Sequence, residues 1–217
     1  MGQYYFAVIL NEENAKEGVL EVENWFDPES YGSGKKLMSH AYLETKLTNV
    51  VMKHLFKNPQ PLIWVGDYSD TGLYQIARDN CPSKELLYVH TDYDKYNKYI
   101  VNYSKGLYVM SNTQPKDADG WQIHPLPLLT SNGNGMGGGD YHGTNMRHVG
   151  SWSTDLIATY RNRKHFPTRF KKIELDFVEG KESEGEELVF ATGLSKDVAQ
   201  KHVKLFKQIA AEQRLLA

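Results

Sequence analysis

The run Pro61-Leu62-Ile63-Trp64-Val65 constrains the fold most, because it is wholly apolar and lies between two breakers, Asn58-Pro59 and Gly66-Asp67. Five residues are too few for a buried helix, so the run reads as a central strand. A strand there delivers Gly66-Asp67-Tyr68-Ser69-Asp70 at its carboxyl end, where rigid supports commonly carry sites. Gln3 to Leu10 is rich in aromatic and β-branched residues and reads as a buried first strand. Gly18 to Trp25 reads as its hairpin partner across a polar turn from Asn11 to Lys16.

Leu43, Leu47, Val50, Val51, His54 and Leu55 recur at spacings of three and four, which predicts a helix. A short helix is expected from Thr71 to Asp79. Leu86 to His90, Leu107 to Ser111 and Asp155 to Tyr160 read as strands. Ile123 to Leu129 is expected to be extended by its prolines. Lys172 to Val178 alternates apolar with charged residues and reads as a half-exposed strand. Leu188 to Ala191 is placed as its partner, across a charged turn from Glu179 to Glu187. A last helix begins at Ser195, with Val198, Val203 and Phe206 on its apolar face. Strands fall in hairpin-like groups with few helices between them. The expected class is therefore α+β, with a mainly antiparallel or mixed sheet and a few packed helices including a C-terminal one. One globular domain over 1–217 is expected, since no linker interrupts the chain.

The formal net charge of −2 does not advertise nucleic acid as a partner. A lone cysteine, Cys81, cannot form an internal disulfide. The first residues lack the basic start and apolar run of a signal peptide, and no stretch is long enough to span a membrane. Tyr93, Tyr96, Tyr99 and Tyr103 form a stripe expected to be helical, which reads first as packing with its hydroxyls at the rim and second as a stacking surface for bases or sugars. The basic strip Arg161, Arg163, Lys164, His165, Arg169, Lys171 and Lys172 reads first as a solvated edge that blunts strand pairing, and second as a contact for phosphates.

The most unusual segment is Gly133-Asn134-Gly135-Met136-Gly137-Gly138-Gly139, in which five of seven residues are glycine. Each ordered glycine costs about 0.5–1 kcal/mol relative to alanine, so a fixed loop of this kind needs positive φ or close backbone approach. Its N–H groups could form an anion nest. A P-loop is excluded, because Asp140 stands where lysine is required.

Asp140 and His142 follow the loop as a candidate acid–base pair. Arg147 could hold a phosphate or carboxylate, and Trp152 lies nearby in sequence. The candidate ligand-binding set is Asp67, Tyr68, Gly133, Asn134, Gly135, Gly137, Gly138, Gly139, Arg147 and Trp152. The candidate metal set is Asp67, Asp70 and Asp140, for a divalent cation, if those carboxylates converge. The plainer reading of Asp67 and Asp70 is helix capping.

The start Met1-Gly2-Gln3-Tyr4-Tyr5, the segment Gly66-Asp67-Tyr68-Ser69-Asp70, the loop Gly133 to Tyr141 and Val149-Gly150-Ser151-Trp152 together resemble a family of small uncharacterised bacterial and bacteriophage proteins. The resemblance touches about two thirds of the chain. Where that family more often has arginine, this chain has Met136. The resemblance implies a cytoplasmic bacterial or phage setting and one shared site for the aspartates and glycines. It carries no activity.

Three readings stay open. The first is a binding module for an anionic, nucleotide-like small molecule. The second is a metal-dependent phosphoesterase. The third is an interaction or virion-associated protein, with a protein partner or a second copy of the chain.

Overall fold

The computed structural model describes residues 1–80 and 98–179. Cys81, the Leu86–His90 and Leu188–Ala191 strands, Tyr93, Tyr96, most of the charged turn and the helix from Ser195 lie outside the described residues.

The fold is α+β, a mixed and mostly antiparallel sheet of eight strands with five α-helices among the described residues. The strands are β1 (Tyr5–Leu10), β2 (Val22–Phe26), β3 (Gln60–Gly66), β4 (Tyr99–Asn102), β5 (Leu107–Met110), β6 (Ser131–Asn132), β7 (Leu156–Tyr160) and β8 (Lys171–Lys172). Their order is β2-β1-β3-β7-β4-β5-β8, with β6 also on β3.

The expected central strand is β3, and it forks the sheet. Near its start, Gln60 and Pro61 pair antiparallel with Ile157 and Leu156 of β7. Near its end, Trp64 and Val65 pair in parallel with Ser131 and Asn132 of β6. The segment between β6 and β7 fills the fork: Thr154 donates to the Leu62 carbonyl at 2.8 Å and Trp152 to that of Leu129 at 2.7 Å.

Helices cover the sheet from both sides, which is why β1 and β3 are apolar on consecutive residues rather than alternate ones. Tyr5, Ala7, Ile9, Leu62 and Trp64 face the main core with helices α2 (Leu37–His40), α3 (Lys46–His54) and α5 (Pro125–Thr130). Phe6, Val8, Leu10, Ile63 and Val65 face the other way, against Leu73, Tyr74 and Ala77 of α4 (Leu73–Asn80). The helix read from the 43–55 periodicity is α3, and its buried Leu47, Val50 and Val51 are the residues that produced the pattern.

Four expectations need correction. Asn11 to Lys16 is not an open turn but contains the one-turn helix α1 (Glu12–Lys16). The Asn11 side chain caps it by accepting from the Asn14 N–H at 3.1 Å. The proline-rich segment is helical from Pro125, not extended: its prolines fall in the first turn, where N–H groups have no intrahelical partner to lose. Tyr99 starts strand β4 rather than continuing a helical stripe. Of Lys172 to Val178, only the first residue joins the ladder, within β8. Leu175 and Phe177 are nevertheless buried and Glu174 and Asp176 exposed, as the alternation requires.

Candidate functional site

Three segments meet where β3 ends: the N-terminal residues 1–4, the turn from Gly66 to Thr71 and the glycine loop after β6. The N-terminus runs between the other two. Tyr4 exchanges two bonds with Asp67, whose N–H donates to the Tyr4 carbonyl at 2.9 Å and whose Oδ1 accepts the Tyr4 N–H at 3.0 Å. On its other side, the Gln3 N–H donates to the Gly138 carbonyl at 3.1 Å and the Gly138 N–H to that of Met1 at 3.0 Å. Ser69 Oγ donates to Asn132 Oδ1, tying the turn to the loop's entry.

The loop is closed from within. The Asn134 side chain binds Tyr141 as a second backbone would, accepting its N–H at 2.8 Å and donating to its carbonyl at 3.1 Å. The N–H groups of Gly135, Met136 and Gly137 converge on Asp140 Oδ2 at 2.7, 3.0 and 3.0 Å. The Tyr5 hydroxyl donates to Asp140 Oδ1 at 2.9 Å. This is an anion nest, and the anion in it is the protein's own carboxylate. Gly135 holds φ of +95°, a conformation that turns its N–H inward and that side chains resist. Asp140 is 3% exposed. Burial first, then the Asp140 charge and hydrogen bond, then the Asp67 charge, raise the Tyr5 hydroxyl far above the tyrosine range, so it stays protonated and donates.

The glycines also make room for Gln3. A Cβ on Gly137 would lie 2.5 Å from Gln3 Cβ and 2.9 Å from its backbone nitrogen. One on Gly133 would lie 2.7 Å from Gln3 Nε2, and Gly66 is likewise covered by the Gln3 amide. Gln3 is fully buried, and neither its Nε2 nor its Oε1 has a hydrogen-bond partner.

Around this buried floor the surface carries large apolar and aromatic side chains beside charged ones. Tyr4, Tyr68, Met1 and Met136 are all exposed. The Lys36 stem lies over Gly2 and Gly139 and is solvent-facing.

The structure brings Asp67, Tyr68, Gly133, Asn134, Gly135, Gly137, Gly138, Gly139 and Asp140 together at the end of β3. Asp70 is exposed, and the hydroxyls of Ser69 and Thr71, not Asp70, accept the N–H groups leading into α4. Among the described residues no group of three or more His, Cys, Asp and Glu side chains could hold a metal ion, so Asp67, Asp70 and Asp140 do not converge as a ligand set. The free Asp140 needed for acid–base work with His142 is instead a buried acceptor of four hydrogen bonds. Arg147 is exposed and donates to His148 Nε2 at 3.3 Å. Trp152 is 1% exposed in the main core, which leaves its ring no surface for a ligand.

Sequence reasoning passed over Gln3, Tyr5 and Lys36. The one available signal was Gln3 itself, a polar residue opening an otherwise apolar strand.

No family model, no curated protein and no solved structure matches the chain. Among the described residues no helix is long and apolar enough to cross a membrane.

Proposed function

We propose that the chain is a binding module that holds an anionic, nucleotide-like small molecule at the end of β3, with the glycine loop as one wall. The observation that carries this reading is the Gln3 amide, buried with both its donor and its acceptor unpartnered. A buried polar group left in that state costs about 1–3 kcal/mol, and a ligand that pairs with it recovers this. An amide offers one donor beside one acceptor, the pattern that matches the edge of adenine. The exposed rings of Tyr4 and Tyr68 supply stacking faces, and Lys36 supplies a cation for a phosphate. Reaching Gln3 requires the loop wall to move outward on binding.

The ligand's anion does not enter the nest, because Asp140 fills it. The same fact favours binding over metal-dependent hydrolysis, since that reaction needs an Asp140 free to ligate or to transfer protons.

The test is calorimetric titration of the protein with adenosine monophosphate, cyclic dinucleotides and NAD, repeated on Gln3→Leu and Lys36→Ala. Binding that weakens at least tenfold in Gln3→Leu, with the ligand recovered unchanged after incubation, supports the module. Equal affinity in Gln3→Leu, or no binding across the panel, sinks it. Ligand turnover would instead point to the phosphoesterase.

A further inference from the structure

A second surface lies on β4, β5 and β7, on the face turned away from the main core. Directly paired residues point to the same side of a sheet. Tyr99 pairs with Tyr160, Val101 with Tyr108 and Tyr108 with Lys172, so three tyrosines and a lysine share that face. Tyr103, two residues beyond Val101, joins them through a 2.6 Å hydrogen bond between its hydroxyl and that of Tyr160. Among the described residues no helix covers this face as α4 covers β1 and β3. Its cover is the return segment from Arg161 to Phe170, which buries Phe166 and Phe170 against the tyrosines. Tyr99, Tyr103 and Tyr108 remain half-exposed.

The return segment is cationic throughout. Residues 156–173 contain no aspartate or glutamate, yet they carry Arg161, Arg163, Lys164, Arg169, Lys171 and Lys172. The cations lie on aromatic rings. Arg163 is 4.4 Å from the Phe166 centroid and 4.9 Å from that of Tyr108, Arg169 is 5.5 Å from that of Phe170, and Arg161 and Lys57 lie 5.2 and 5.3 Å from that of Phe56.

Part of this is structural. Arg163 donates to the carbonyls of Phe166, Thr168 and Phe170 and so shapes the segment. Lys171 and Lys172 sit on β8, at the end of the sheet order, where lysine discourages edge pairing, and Lys172 also pairs with Glu174 at 2.6 Å. Edge protection does not call for a tyrosine-lined face beside the lysines, nor for exposed Lys164 and Arg169.

We infer that this tyrosine-lined, cation-rimmed sheet face binds single-stranded nucleic acid, its half-exposed rings stacking on bases and Lys164, Arg169 and Lys172 contacting phosphates. Stacking platforms beside a cationic track are the general solution for single strands, because every base has a flat face. The net charge of −2 weighs against nucleic acid for the chain as a whole, but it averages over this lobe. The inference uses none of the residues proposed to hold the small molecule.

The experiment is fluorescence anisotropy of a labelled oligothymidylate of about 20 nucleotides, a length spanning one such surface, titrated with the full chain. The variants are Lys164→Glu/Arg169→Glu and Tyr108→Leu, with circular dichroism as the check on folding. Expected are binding that weakens steeply between about 50 and 200 mM salt, at least a tenfold loss in the charge-reversed pair and a several-fold loss in Tyr108→Leu. The inference is overturned by no anisotropy change at low salt, by unchanged binding in folded variants, or by equal binding to a polyglutamate of matching charge. That last result would assign the face to an acidic protein partner.

Discussion

An aspartate that accepts three backbone N–H groups and a tyrosine hydroxyl is a structural residue, and its removal tests that directly. Asp140→Ala strands those donors in a buried place. At about 1–3 kcal/mol per unsatisfied group, partly relieved by local collapse, the loss should be on the order of 3–5 kcal/mol in urea unfolding. Asp140→Asn keeps an acceptor for the nest and turns an amide towards Tyr5, so it should lose about 1–2 kcal/mol. A stable Asp140→Ala protein would show that the nest is not what holds the loop. Gly66→Ala drives a Cβ into the Gln3 amide and should destabilise markedly by overpacking. In a Gln3→Ala background most of that penalty should vanish. The two changes are therefore expected to be strongly non-additive in a double-mutant cycle. Simple additivity would mean that the glycine is there for its own backbone. Little of this was legible beforehand. The glycine run announced close approach or a nest, but not what filled it. The filler is four residues from Met136 along the chain, whereas its fourth donor, Tyr5, is 135 residues away.

At the scale of elements, legibility depended on whether burial or partnership makes the pattern. β1 and β3 were readable because burial on both faces leaves an unbroken apolar run. α3 was readable because one buried side gives spacings of three and four. The alternation after Lys172 correctly sorted inside from outside at Leu175 and Phe177, but alternation says nothing about a neighbouring strand, and the ladder stops at Lys172. Prolines misled at α5, since a proline in a first turn and a proline in an extended chain look alike in sequence. The pairing makes a dynamic prediction. β1 is flanked by β2 and β3 and covered on both faces, so its amides should exchange with deuterium last. Those of Glu174, Leu175 and Asp176, which lie between the Ile173 bond to Tyr108 and the Phe177 bond to Gln114 and outside the ladder, should exchange early. Mass spectrometry of peptic fragments measures this, and slow exchange across 174–176 would contradict the short β8.

For the molecule as a whole, two buried histidines set the acid limit. His40 accepts from Trp64 Nε1 through Nδ1 at 2.8 Å and contacts the Gly34 carbonyl through Nε2 at 2.6 Å, so it is held neutral with the proton on Nε2. Burial lowers its pKa to about 4, against the opposing pull of that carbonyl. His124 accepts from the Leu126 N–H through Nδ1, while its Nε2 is buried without a partner. Burial lowers its pKa to about 3. Both folded values lie below the unfolded 6.5, so the unfolded chain binds more protons at intermediate pH. Stability from these groups is complete above about pH 6.5. It is lost as pH falls towards 4 for His40 and 3 for His124, at about 1.4 kcal/mol per pH unit for each. Urea unfolding at pH 7 and 4.5 should show a loss of several kcal/mol, reduced by about half in His124→Gln. A flat profile would mean that neither histidine must charge on unfolding.

The bond between Tyr5 and Asp140 also bears on how the chain acquires its shape. During synthesis β1 can meet β2 and then β3 early, with Tyr4 already bonded to Asp67, but the Tyr5 hydroxyl has no Asp140 to accept from it until the ribosome has released residue 140. Closing so large a loop is entropically slow, and in the interval Gln3 and Tyr5 offer polar groups at the open end of a strand. Assembly of the β3 end is therefore expected to be a late, separately observable step in refolding, and the stage at which a nascent chain is most exposed to a wrong neighbour.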